Sequence, residues 1–241
     1  MRTHRQVIGA LIMMIMLGGW IASSAVASSG GTVTGTVLFQ GTPPAPQPIN
    51  VGAEQQCVVA HGGHAPVFED VVVNGNGTLR DVLVYVTGQV PGTYAPPTTP
   101  VVFAQKGCVF VPHVAALMVG QPLDVRNDDP VLHNVRAQSK QGQAFNIAQP
   151  MQGMKTTKTF KTQEIGIPLK CDVHFWMTSY VHVLAHPFFA VTGEDGSFTI
   201  TGLPPGTYTL EAWHGKLGTQ TGTITVEAAG TQTLSFTYTA K

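Results

Sequence analysis

Glycine and proline interrupt this chain so often that no long helix fits between them: 27 glycines and 17 prolines are spread through 241 residues. Proline lacks an amide hydrogen and glycine gives up more backbone entropy than any other residue, so both are costly inside a helix and at home in turns. The runs between them are short and alternate polar with apolar, as in Gly31-Thr32-Val33-Thr34-Gly35-Thr36-Val37 and Tyr208-Thr209-Leu210-Glu211-Ala212. A period of two builds half-buried strands. With 43% apolar residues there is enough to fill a core, so the chain is read as all-β and a helical bundle is excluded. The length suits two small domains or one large β domain.

Residues 1–27 read as a removable leader. Arg2, His4 and Arg5 make a basic start, 7–22 is an uncharged apolar run, and Ala25-Val26-Ala27 is a small-x-small cleavage site. Such a run is shorter than the ~20 residues that span a bilayer, so a periplasmic or secreted protein with no membrane span in the mature chain is expected. Loss of Arg2 and Arg5 leaves 11 basic residues against 13 acidic, and eight of the 11 lie in 106–170 beside four acidic ones. That stretch carries a modest positive field suited to an acidic partner protein. Only 11% of residues are charged, too few for a phosphate-neutralising surface, so nucleic acid is not an expected partner.

In an oxidising compartment thiols pair, and Cys57, Cys108 and Cys171 are an odd number, so one bridge and one unpaired cysteine are expected. Composition leaves open which one is left over. Cys171 stands apart because Cys171-Asp172-Val173-His174-Phe175-Trp176-Met177 places thiol, imidazole and thioether within one short loop. A soft thiolate with a weak thioether is copper chemistry, and it calls for a second imidazole from elsewhere. Leu132-His133-Asn134-Val135 supplies one, after an alternating strand and the polar run Asn127-Asp128-Asp129. Zinc is disfavoured because thioether sulfur is a poor zinc ligand.

Phe110-Val111-Pro112, the Gly120 turn, Asn127, His133-Asn134-Val135 and the Cys171/His174/Met177 loop together resemble the blue copper proteins, or cupredoxins, of the plastocyanin and amicyanin type. The resemblance implies a Greek-key β-sandwich holding one mononuclear type 1 copper. It makes His133, Cys171 and His174 the strong ligands, Met177 the long axial one, and Asn134 a tether between the two ligand loops. It also implies that the edge of His174 reaches the surface, ringed by Phe175 and Trp176 as a docking patch. With Cys171 committed to metal, Cys57 and Cys108 remain to form the disulfide. Val173 and Phe175 flank His174 where such loops usually carry a proline.

The rest of the chain resembles the carboxypeptidase regulatory-like modules, small transthyretin-like sandwiches. Gly31-Thr32-Val33-Thr34-Gly35-Thr36-Val37 matches their opening strand, and Asp195-Gly196-Ser197-Phe198-Thr199-Ile200 with Leu203-Pro204-Pro205-Gly206-Thr207-Tyr208 matches their closing half. Asp195-Gly196 and Pro205-Gly206 are turn signals. The expected organisation is therefore two β-sandwiches: a split regulatory-like module over 28–98 and 188–241, with a cupredoxin over 99–187 inserted. His182 is expected to face solvent or the neighbouring domain, Trp213 to be exposed, and His61 and His64 to sit in a solvated glycine loop. No nucleophile with a base is evident, so the expected function is one-electron transfer with a redox partner protein, not catalysis. Copper carriage without turnover is the alternative.

Overall fold

The computed structural model describes residues 29–52 and 54–240, so the leader expected over 1–27 lies outside the described residues. The strands are β1 (Gly31–Gln40), β2 (Leu83–Val86), β3 (Val101–Lys106), β4 (Val109–Val111), β5 (Val114–Met118), β6 (Pro122–Asn127), β7 (His133–Ala137), β8 (Phe145–Gln149), β9 (Lys155–Thr159), β10 (Glu164–Lys170), β11 (Thr178–Leu184), β12 (Phe189–Val191), β13 (Ser197–Leu203), β14 (Gly206–His214), β15 (Gly218–Val226), β16 (Thr231–Thr233) and β17 (Phe236–Thr239). One six-residue helix, α1 (Gln55–Ala60), interrupts them, and the architecture is all-β. No helix among the described residues is long and apolar enough to cross a membrane.

Four sheets enclose two cores. β1 lies beside β13, antiparallel, and runs parallel to β16 and then β17, so the first strand of the described chain is hydrogen-bonded to its last. A second sheet, ordered β12-β2-β14-β15, faces it. Val33 and Val37 from β1, Leu79, Phe198, Leu210, Phe236 and Tyr238 fill the space between. The passage of β1 from β16 to β17 falls at Gly35, where a Cβ would overlap the Leu234 carbonyl oxygen. Glycine is the residue that permits this approach of two backbones.

The other core lies between the sheets β5-β11-β10-β7-β8 and β4-β3-β6-β9. Phe103, Phe110, Leu117, Leu123, Val135 and Leu169 are buried in it. Ile49, Val51 and Cys57 pack into this same core, although their place in sequence puts them among the scaffold strands. β3 and β6 are parallel neighbours. The connections that follow them, 107–108 and 128–132, therefore emerge at one end of the sandwich. The 171–177 loop joins them there, because β10 is antiparallel to β7 with Leu169 and Lys170 opposite Ala137 and Arg136, so the chain leaving β10 heads back toward the beginning of β7.

β11 serves both units through its alternation. Val181 and Val183 point into the core that holds Phe103 and Leu117, while Leu184 packs with Leu83 and Tyr85 of the other unit. His182 faces the neighbouring unit, its ring centroid 4.6 Å from that of Trp213. Trp213 is correspondingly half-buried: it lies over Gly166, where a Cβ would stand 3.0 Å from the indole. The expectation of an exposed Trp213 fails because the alternating pattern gives its face of β14 without showing that a second sheet covers that face. The Gly166 amide donates to Nδ1 of His182, so the imidazole proton sits on Nε2. Complete burial favours the neutral ring and lowers its pKa to about 3.

Gly35→Ala should unseat the β1–β16–β17 junction and cost about 1–3 kcal/mol, as overpacking a filled site does. Thermal unfolding checks this, with Gly75→Ala as the control, since a Cβ at Gly75 meets nothing within 4 Å.

Candidate metal centre

The loop between β6 and β7 is pinned before it reaches its histidine. Asn127 is buried; its Nδ2 donates to the carbonyls of Val131 and Gln149, and its Oδ1 accepts the Asp129 amide. This holds Asp129 inward, where its carboxylate accepts three hydrogen bonds: from the amides of Gly107 (2.6 Å) and Cys108 (2.8 Å) and from Nε2 of His133 (2.9 Å). Gly107 and Cys108 both take left-handed backbone angles, φ 67° and 56°. Consecutive residues of this kind can turn their N–H groups toward a single anion. With the Nε2 proton of His133 given to Asp129, its Nδ1 faces the other way.

The 171–177 loop closes on itself. The Cys171 amide donates to the Met177 carbonyl and the Met177 amide to the His174 carbonyl. The His174 amide points at the Cys171 sulfur, 3.4 Å away. Asn134 ties this loop to the first: its Oδ1 accepts the Asp172 amide at 2.6 Å and lies 3.4 Å from Cys171 Sγ. Asp172 is held further by Nδ2 of Asn134 and Nε of Arg136.

These two loops bring His133, Cys171 and His174 together, with one ligand atom of each within 4.8 Å of the others. Nδ1 of His133 stands 2.9 Å from Nδ1 of His174, and Cys171 Sγ lies 3.9 Å from the latter. All three residues are buried, as is Met177. Burial alone would raise the Cys171 thiol, but hydrogen bonds from His133 and His174 outweigh it and bring its pKa down to about 6. Burial likewise opposes charge on His133, and the Asp129 contact overcomes it to raise that pKa. A low-lying thiolate flanked by two imidazoles is a soft, anionic donor set, which favours copper or zinc over hard cations.

A disulfide roofs the cluster. Cys57 of α1 and Cys108 are bridged, with Cα atoms 5.4 Å apart, and one ligand atom each of Cys57, Cys108 and His174 lies within 4.8 Å of the others. Trp176 turns inward to donate from Nε1 to the Cys108 carbonyl. His174 is consequently only 2% exposed, whereas Phe175 beside it is 77% exposed. The surface edge expected for His174 is absent because a segment distant in sequence covers the ring. Asp129 is the residue that sequence reading passes over. Its position four before His133 was the available signal, and a polar run in a loop hid it. Nδ1 of His61 donates to the Gly107 carbonyl, outside the cluster.

Comparison with known proteins bears on each unit differently. Residues 180–239 match the family model of the carboxypeptidase regulatory-like domain. The match begins within β11 and does not include β1 or β2, which complete its sheets. No curated protein sequence matches the chain. Among solved structures it is similar to a Cu-containing nitrite reductase from Thermus scotoductus SA-01, at 20% identity and a TM-score of 0.34, covering 40% of this chain and 24% of the reductase. It is also similar to a purple cupredoxin from Nitrosopumilus maritimus, at 24% identity and a TM-score of 0.28, over 31% of this chain and 81% of that one. Amicyanin from Paracoccus versutus aligns at 19% identity and a TM-score of 0.32, over 42% of this chain and 96% of its own length.

The metal-free, bridged protein should show a thiolate absorbance that titrates with a midpoint near pH 6, contributed by Cys171. Because His133 is one of the groups stabilising the anion, His133→Ala should move that midpoint upward, toward the ordinary thiol range of about 8.5. An unmoved midpoint would remove His133 from the account of this thiol.

Proposed function

We propose that the protein is an exported mononuclear type 1 copper protein that passes single electrons. In this reading a cupredoxin over 99–187 is inserted into a carboxypeptidase regulatory-like sandwich made of 28–98 and 188–241. The observation that carries it is the convergence of a low-pKa thiol and two imidazole Nδ1 atoms in one buried cluster. His133, Cys171 and His174 would hold the metal, and Met177 would serve as the weak axial ligand. Copper bound by two imidazoles, a thiolate and a distant thioether cycles between Cu(I) and Cu(II) in a geometry acceptable to both.

The chain's own residues fix that geometry in advance. Asp129 selects the His133 tautomer that leaves Nδ1 free and limits the ring's rotation. Asn134 holds the two ligand loops at a constant separation. The backbone amide of His174 donates toward the Cys171 sulfur and would draw charge from the thiolate, a recognised lever on copper potentials. The partner we propose is an acidic redox protein, drawn by the basic residues of 106–170.

A second reading, copper carriage without turnover, is favoured by the burial of His174, which denies a partner direct contact with a ligand ring. Reaction with small-molecule oxidants separates the two: an electron carrier recycles rapidly while bridged, and a carrier of the ion does not.

Cu(II)-loaded protein should absorb intensely in the visible through sulfur-to-copper charge transfer, and Cys171→Ser should abolish the band. A colourless Cu(II) complex of the wild-type chain would overturn the type 1 assignment. Met177→Leu should shift the reduction potential while changing copper affinity less than about tenfold, because a weak axial ligand tunes the ion more than it holds it. Voltammetry with a competing chelator measures both, and complete loss of copper in Met177→Leu would make Met177 a strong ligand.

A further inference from the structure

The bridge over His174 is made of the two residues most suited to bind a soft metal themselves. Cys57 Sγ, Cys108 Sγ and a ring nitrogen of His174 all lie within 4.8 Å of one another, one side of the triangle being the S–S bond. While the two sulfurs are bonded to each other they carry no charge and are poor ligands. We propose that reduction of the bridge creates a second soft-metal site, formed by Cys57, Cys108 and His174, which abuts the first and shares His174 with it. The inference rests on reading His174 as a metal ligand.

The chemistry balances with a dithiol reductant. Thiol–disulfide exchange oxidises the reductant to its own disulfide and delivers two electrons and two protons to Cys57 and Cys108. Binding of Cu(I) then displaces the thiol protons to solvent, with no change in the metal's oxidation state. Two thiolates and one imidazole are a softer set than one thiolate and two imidazoles, so the dithiol form selects Cu(I). The shared imidazole lets the ion pass from one set to the other without entering water.

Both sulfurs are fully buried, so the reductant reaches them by local opening of α1. That helix has six residues, no side-chain cap and only Cys57 buried along it. Besides the bridge, Val58 against the core and His61 at the Gly107 carbonyl hold it down. Short elements with so few buried contacts open at a fraction of the global unfolding free energy.

The test uses the full chain carrying Cys171→Ser, which disables the first site. Cu(I) affinity is read by competition with bathocuproine disulfonate, before and after reduction with a phosphine. Reduction should give one Cu(I) per chain, bound on the order of 100-fold more tightly than by the bridged form, and adding His174→Ala should remove most of that gain. Equal affinity before and after reduction overturns the site, and so does a gain that His174→Ala leaves intact, which would mark two thiols binding without the ring. If circular dichroism shows that the reduced variant unfolds, the wild-type chain decides. After reduction, excess Cu(I) should protect Cys57 and Cys108 from alkylation, and unchanged alkylation overturns the proposal. Absence of a charge-transfer band in bridged wild-type protein would sink the type 1 reading alone, because this titration uses neither Cys171 nor Cu(II).

Discussion

The buried carboxylate of Asp129 is the contact on which the candidate site depends. It gathers two amides from the turn after β3 and the imidazole of the loop before β7. An anion removed from water survives only with such partners, and the three donors hold its pKa below the ordinary carboxylate range against burial. The same three bonds fix the position of Cys108, hence of the disulfide, and the orientation of His133. One side chain thus sets both the floor and the roof of the cluster. Asn127 makes this possible by holding the Asp129 amide.

The loops can meet because of how the strands are ordered. Parallel pairing of β3 with β6, and of β5 with β11, requires crossovers and sends several connections to the same end of the sandwich. A run of antiparallel hairpins would place successive turns at alternate ends. Candidate ligands far apart in sequence are therefore neighbours, while the sheets supply a rigid frame behind them. Phe103, Leu117, Val135 and Leu169 fill that frame and leave the polar groups at its rim.

Much of this was readable from residue order. The alternation of β1 and β14, the turn at Asp195-Gly196 and the compact Cys171, His174 and Met177 loop are local patterns, and local patterns survive translation into structure. The all-β class followed from them. What was not legible is contact between segments remote in sequence. Nothing in Glu54-Gln55-Gln56-Cys57 announces that it lies over His174, and nothing in the alternation of Tyr180, His182 and Leu184 says that a tryptophan of another sheet will cover them. Asp129 was missed for a related reason: a polar loop residue and a buried anion look alike until the amides that solvate the anion are known.

The pairing of β1 with β16 and β17 has a consequence in time. A chain is made from its amino end, and domains form as their parts appear. The strands from 101 to 184 can find one another while synthesis continues, whereas β1 waits for residues 231–239, its parallel neighbours. Through that interval β1 has only β13 beside it, and its other edge is open to any other strand. The core around Val33 and Val37 is thus completed by strands made after those of 101–184.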